Sequence, residues 1–342
     1  MNRLTIRLTA LSALALAACS KDPSGGGPAA SGSGPKVAFL LSTLQEERYQ
    51  KDKKYFEDEA RKLGLSPFTL AADNDNARQL SQVEDALSRG AKVLVIQPTD
   101  SAAAAAYVGK AHAAGAKIVA YDRSINGGAD FYVAHDSHKV GVLQAEAAVK
   151  ATGGKGNFVI LNGQSGHSVA LEIARGYMDV LKPLIDKGDV KIIVEKNHDS
   201  WSPEQALKTM EDAIAKSGGD IAAVLANNSG MARGAVQAVQ AGGLKGKKAF
   251  IAGADADAAN VNYVCEGKQS VEVLKDIKPL ADKAAEVAAA LAQGKPVAGA
   301  QEAAGKTPVV AVEVHLVGAD NVKTLLLDSG FHPEKALPAC RK

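Results

Sequence analysis

The chain has 342 residues, of which 46% are hydrophobic, 23% charged and only 4% aromatic. This is too long for one ordinary domain and sets an expectation of two; the Ala- and Gly-rich, aromatic-poor composition suits helices laid over sheets better than a β-sandwich. The formal net charge is +2, and Arg3 and Arg7 at the extreme N-terminus account for it, so the remainder is neutral and gives no reason to expect nucleic acid or an acidic partner.

The opening segment, MNRLTIRLTALSALALAACSKD, has a basic start, an apolar run too short to span a bilayer and small residues before Cys19, the pattern of an export signal. Leu16-Ala17-Ala18-Cys19 resembles the bacterial lipobox. That resemblance implies a signal peptide over 1–18 and lipidation of Cys19; an ordinary cleaved secretion signal is the alternative. Residues 19–35 are rich in Ser, Gly and Pro with no apolar period, which reads as a flexible tether. The expected location is extracytoplasmic, held to the bacterial cell envelope by a lipid anchor only, in the periplasm if the cell is Gram-negative. Cys265 and Cys340 remain; in an oxidising compartment they can form a disulfide or stay as two thiols.

From residue 36 an apolar strand, a polar loop and an amphipathic helix recur. Strands are expected at 36–42, 67–71, 91–97, 116–122 and 131–136, with helices over 46–63, 76–89 and 100–114. A second series places strands at 157–162, 191–196, 221–228, 248–253 and 270–275, and helices near 168–186, 203–216, 230–241 and 256–266. Nearly continuous apolar strands alternating with helices indicate parallel sheets covered on both faces. The fold class is α/β, with two doubly wound Rossmann-like lobes. A helix over 278–293, a strand over 308–316 and a helical stretch over 320–329 are left over, too much for a tail and too little for a third domain. Sharing them between the lobes gives three hinge crossings, near 134–139, 274–278 and 306–311. The expected N-terminal lobe is 36–136 plus 276–308, the C-terminal lobe 137–275 plus 309–330, and the tail 331–342. A ligand cleft lies between the lobes.

Ligands of open α/β sheets bind beyond the carboxyl ends of the strands. There this sequence places Arg48 and Tyr49, Asp122 and Arg123, the stretch NGQSGHS (162–168), Trp201, Asn228, Asp255 and Lys275. Carboxylates accept from vicinal hydroxyls, Arg donates a planar fork, Asn does both, and an aromatic face covers the C–H side of a sugar ring. Asp122 and Arg123 are read as hydroxyl-holding groups that keep each other ionised. Trp201, in the polar setting DSWSPEQA, is read as an exposed stacking platform, just ahead of a helix that Ser202 caps with Pro203 in its first turn. Asp257 and Ser229 are read as helix caps.

Other patterns carry less. HDSH (135–138) lacks a third spaced metal ligand, DNDN (73–76) lacks the glycine and closing Glu of a calcium loop, and GGKGN (153–157) lacks a phosphate-loop ending. No metal, cofactor or catalytic constellation is expected.

The runs ERYQKDKKYFEDEARKLG, QLSQVEDALSRGAKVLVIQP, AYDRSIN, DSWSPEQALKTMEDAI, AGADADAANV and GFHPEKAL together resemble the periplasmic xylose-binding proteins of sugar ABC transporters, within the ribose/galactose-binding family. The resemblance extends from Lys36 to the tail. It implies closure of two lobes around one monosaccharide, with sugar contacts on Arg48, Asp122, Arg123, Trp201, Asn228, Asp255 and Lys275. Two places depart from the pattern: His167-Ser168-Val169 stands where xylose binders carry Asp-Asn-Asn, and Ser229 where Asp commonly follows the Asn. His167 is therefore expected to touch sugar, with affinity titrating near pH 6–7, and Val169 to form a wall. Because such swaps change which hydroxyls are satisfied, the sugar is D-xylose or a related pentose or hexose.

The expected function is that of a monomeric solute-binding lipoprotein delivering sugar to an ABC permease. The alternative is a sensor presenting its closed form, with glucose or another hexose bound, to a chemoreceptor or sensor kinase. A repressor needs a helix-turn-helix where this chain has a signal and tether. A glycosidase needs a carboxyl held protonated opposite a second one, and Arg123 beside Asp122 argues against that.

Overall fold

In β1 (Lys36–Leu41) all residues but the first are buried, because side chains alternate between two covered faces: Val37, Phe39 and Leu41 enter one apolar cluster, and Ala38 and Leu40 another. The chain continues through α1 (Glu47–Lys62), β2 (Ser66–Ala71), α2 (Asn76–Ser88), β3 (Val93–Ile96), α3 (Ala105–Ala113), β4 (Lys117–Tyr121) and β5 (Phe131–His135). The structure, a computed structural model, describes residues 34–244, 248–301 and 307–341; the expected leader, Cys19 and nearly all of the tether lie outside the described residues. Among the described residues no helix is long and apolar enough to cross a membrane.

The second series is α4 (Ser137–Thr152), β6 (Gly156–Asn162), α5 (Ser168–Asp186), β7 (Val190–Asn197), α6 (Pro203–Ser217), β8 (Ala223–Ala226), α7 (Ser229–Gly242), β9 (Phe250–Ala254), α8 (Ala258–Cys265) and β10 (Val271–Lys275). It is followed by α9 (Ile277–Ala292), β11 (Val309–Val312) and β12 (Val314–Val317). Helix starts follow side-chain capping: Asp75, Asp136, Ser202 and Asp276 accept backbone N–H groups of α2, α4, α6 and α9, with Pro203 in the first turn of α6. The 100–114 region turns first and becomes helical at Ala105, and the expected helix over 320–329 contracts to one π-helical turn at Lys323–Leu327.

Two six-stranded sheets result, in the orders β11-β5-β4-β3-β1-β2 and β12-β10-β9-β8-β6-β7. The first is parallel throughout, and the second is parallel except for β12 against β10. The chain passes between sheets after His135, after Lys275 and at Glu313. The last position corrects the expected crossing at 306–311 and the assignment of 309–330 to the C-terminal lobe: β11 belongs to the first sheet. PVVAVEVHL reads as one strand because its apolar period is unbroken, yet its halves pair with different lobes. The carboxyl ends of the two sheets face one another. A strand leaving the first sheet at its carboxyl end therefore enters the second from that same end, which is why β12 runs antiparallel.

The expected tail is part of the second lobe. Leu337 is fully buried with Val261, Leu274, Val317, Val322 and Leu326, and Cys265 and Cys340 form a disulfide.

Candidate functional site

Three helices and five strand ends meet between the lobes. Arg48 and Tyr49 lie in the first turn of α1, pointed inward by the amphipathic pattern that also buries Asp52 and Phe56. Arg48 is the hub. Its guanidinium reaches Asp122 at 3.2 Å, Asp52 at 3.4 Å and, across the cleft, Asp255 at 3.4 Å. Tyr121 donates its hydroxyl to Asp52 from behind, so Arg48 is held by a buried acid anchored in the core and is pre-aimed at two others.

Asp122 follows β4 with φ of 60°, a left-handed turn that costs a non-glycine residue energy and is tolerated where surroundings over-determine it. Here Gln97 donates to its Oδ2 at 3.1 Å and Tyr132 to its carbonyl at 3.0 Å. Burial raises its pKa, but Arg48, then Lys275 and Arg123, more than offset this and hold the carboxyl well below the usual range. Arg123 thus helps to keep Asp122 ionised, as expected, but through space and behind Arg48 and Lys275, without a direct ion pair. Consecutive residues around a tight turn diverge: Arg123 donates to the Pro98 carbonyl at 3.1 Å and to the Tyr49 hydroxyl at 3.2 Å, while Asp122 turns to Arg48.

In the second lobe Asp255 has φ of 99° and Ala256 φ of 55°. Asp255 accepts from Lys275 at 2.9 Å as well as from Arg48. Glu272, fully buried in β10, supports this strained loop: its carboxyl accepts from Ala256 N at 3.1 Å, Ser229 Oγ at 2.7 Å and Gln269 Nε2 at 2.5 Å. Gly253 is required beside it, since a Cβ there would lie 2.2 Å from Glu272 Oε1. Burial pushes the Glu272 carboxyl up to about 8. Ser229 is thus a bridge between loops, accepting Asp257 N at 3.1 Å, and not the expected cap. The cap of α7 is Asn228, whose Oδ1 accepts Met231 N at 2.9 Å; only its amide nitrogen is left to face the cleft. Asp257 occupies the cap position of α8 without a side-chain cap bond and lies 3.7 Å from Arg233.

Trp201 is 7% exposed, a buried wall and not the expected exposed platform. Its ring lies against Gly163, where a Cβ would approach to 2.5 Å, and its Nε1–H donates to His167 Nδ1 at 2.7 Å. The other nitrogen of His167 donates to the Thr99 carbonyl of the first lobe at 2.5 Å. Both ring nitrogens are therefore committed, and Val169, not His167, lines the inner pocket. Burial, then the nearby Arg123 charge, lowers the His167 pKa to about 2, so the expected titration near pH 6–7 does not belong to this residue. Next to it Ser168 Oγ accepts Ser124 N at 2.9 Å, so the two departures at 167 and 168 fasten one lobe to the other.

Arg48, Tyr49, Asp122, Arg123, Val169, Trp201, Asn228, Asp255 and Lys275 surround an inner pocket of about 10 Å³. An outer chamber of about 630 Å³ adjoins it, sharing Arg48, Trp201, Asn228 and Asp255. Glu46 borders both and was not anticipated, because the expected helix over 46–63 begins with it. Gln97 was also missed, although it ends the apolar run VLVIQ just as Asp122 ends its own strand. Another hollow, of about 560 Å³, lies at the opposite ends of the second lobe's strands, beside Lys155, Asp220 and Ser270, far from this convergence of charge. Among the described residues no His, Cys, Asp or Glu cluster forms a metal site.

Comparison with known proteins agrees with this architecture. A family model described as a periplasmic binding protein domain matches residues 37–296. The chain is 38% identical over 312 residues to the D-xylose-binding periplasmic protein of Escherichia coli (strain K12), covering 88% of this chain and 92% of that one. It is 36% identical over 306 residues to the protein of the same description from Haemophilus influenzae, again covering 88% and 92%. An ABC transporter solute-binding protein of Clostridium phytofermentans, solved with bound β-D-glucose, superposes with a TM-score of 0.83 at 28% identity, covering 88% of this chain and 99% of that one. With two α/β lobes, three crossings and a charged cleft at the facing strand ends, the chain belongs to the periplasmic binding protein family.

Proposed function

We propose that this protein is the extracytoplasmic receptor of an ABC-type sugar importer, closing its lobes around a monosaccharide and presenting the closed form to the permease. The observation that carries this reading is the Arg48 hub, at which acids from opposite lobes, Asp122 and Asp255, meet one guanidinium. A polyol satisfies such a set: each hydroxyl both donates and accepts, so it can be inserted between a carboxylate and a cation without leaving either unpaired. Asp122 and Asp255 accept from hydroxyls, Arg48, Arg123, Lys275 and the Asn228 amide donate, and Trp201 with Val169 covers the C–H face. Because these groups are divided between lobes, the ligand favours the closed state by the contacts it makes only there. Within this reading His167 is a latch that fastens the closed lobes.

The sugar is an aldopentose or aldohexose, in keeping with relatives described as xylose-binding and a similar structure described with glucose. No step of this mechanism breaks a covalent bond. The Cys19 motif supports tethering at the membrane surface through lipid. A thermal-shift screen of the purified protein against pentoses, hexoses and polyols tests the proposal. At a thousand times Kd a specific sugar contributes about 4 kcal/mol, a rise in Tm on the order of 10 °C. A flat response to every sugar overturns it.

A further inference from the structure

The receptor reading leaves Glu46 without a role, although it lines the cleft. Glu46 immediately precedes α1 in extended conformation and makes no side-chain cap bond. Among the described residues its carboxyl has neither an ion pair nor a hydrogen bond, whereas Arg48, Trp201, Asn228 and Asp255, the other residues common to both spaces, are each engaged. Burial, opposed by Arg123 and reinforced by Asp255, pushes the Glu46 carboxyl up to about 7. Glu46 is half-buried, and its position at the threshold between the inner pocket and the outer chamber says where a partner for its carboxyl comes from. The inner pocket is nearly filled by its own side chains, while the outer chamber, at about 630 Å³, falls within the size range of small-molecule sites. Its walls are polar: Ser200, Ser202, Glu204, Arg233 and Asp257.

We propose that the ligand carries a hydroxyl-bearing extension from its ring, which passes Glu46 into the outer chamber, and that Glu46 recognises this extension. The inference rests on the sugar-receptor reading and deepens it. The extension is an exocyclic hydroxymethyl group or a second sugar ring, and both present hydroxyls to the same carboxyl.

Isothermal titration of the protein, Glu46→Ala and Glu46→Gln with D-xylose, D-glucose and cellobiose separates the cases. Xylose and glucose share their ring hydroxyl pattern and differ only in the hydroxymethyl group, while cellobiose adds a second ring in place of one ring hydroxyl. The expected result is that glucose or cellobiose binds at least ten-fold tighter than xylose, and that Glu46→Ala costs the extended ligand at least ten-fold more than it costs xylose. Glucose tight with cellobiose silent assigns a hydroxymethyl group; cellobiose tight assigns a second ring. Glu46→Gln, which preserves shape and one acceptor, recovers part of the loss. Xylose binding tightest, or Glu46→Ala weakening all binders equally, overturns the inference and leaves the receptor reading intact. Failure of these three and of every sugar in the thermal screen removes the receptor reading itself, and this inference with it.

Discussion

The two lobes each deliver an acid to Arg48 from a left-handed turn, at Asp122 in the first and Asp255 in the second, but they hold those turns by different means. In the first lobe side chains supply the support: Asp52, itself held by Tyr121, grips Arg48, Gln97 grips the Asp122 carboxyl, and Tyr132 its backbone carbonyl. In the second, one buried acid, Glu272, holds the backbone of the loop, and Asp255 is positioned as a consequence. A directly gripped charge depends on its neighbours' charge. A backbone-gripped one depends on the geometry and protonation of its support.

Breaking the first arrangement has the largest expected effect. Arg48→Met leaves Asp52 and Asp122 buried without their cation, which costs about 3–5 kcal/mol of stability and abolishes sugar binding; denaturant melts and titration calorimetry check both. The second lobe is also the one stapled at its end, so replacing Cys265 and Cys340 by Ser is expected to cost about 2–4 kcal/mol. This should appear as earlier unfolding without a change in sugar selectivity.

At the site itself, Asp255→Asn is expected to lower sugar affinity about 10–100-fold, as for loss of a charged hydrogen bond. Asp257→Asn, two residues further along the loop and paired with Arg233 instead of the hub, should change it less than three-fold. The reverse ranking means that Asp257 is the ligand-facing acid. The smallest effect is the most diagnostic of the backbone-gripped lobe. Glu272 titrates near 4.5 when exposed and about 8 when folded, so the folded state holds the extra proton and stability falls as pH rises through that interval. His135 and His167, lowered by burial to about 3 and about 2, give the opposite slope, and only below about 6.5. Glu46 and Asp257, each raised to about 7 chiefly by burial, add to the fall mainly below that value. Between pH 6.5 and 8 Glu272 alone should account for a loss of about 1–2 kcal/mol, and Glu272→Gln should remove that share of the slope. An unchanged slope in the variant refutes the role given to Glu272.

Much of the site was legible because strand ends are legible. Apolar runs of strand length, followed by polar residues and helix-start signals such as Ser202-Pro203, located Arg48, Asp122, Arg123, Asn228, Asp255 and Lys275 at one end of both sheets. Roles were harder to read than positions. Whether Asp122 pairs with its chain neighbour or with Arg48 depends on how a turn of φ 60° sends adjacent side chains apart. Whether His167 touches sugar or Thr99 depends on the distance between the lobes.

Periodicity and local chemistry were enough for the two α/β lobes and the face on which the ligand sits, since both follow from which residues a strand or helix buries and where its ends fall. Glu272 gave no local sign of its importance: an acid within SVEVLK reads as a surface residue of a strand until Ala256, Ser229 and Gln269 converge on it. The split of one apolar run between two sheets at Glu313, and the unpartnered Glu46 between two cavities, are likewise properties of the assembled molecule. Pairing partners and enclosure are set by segments distant in the chain, and no window of neighbouring residues contains them.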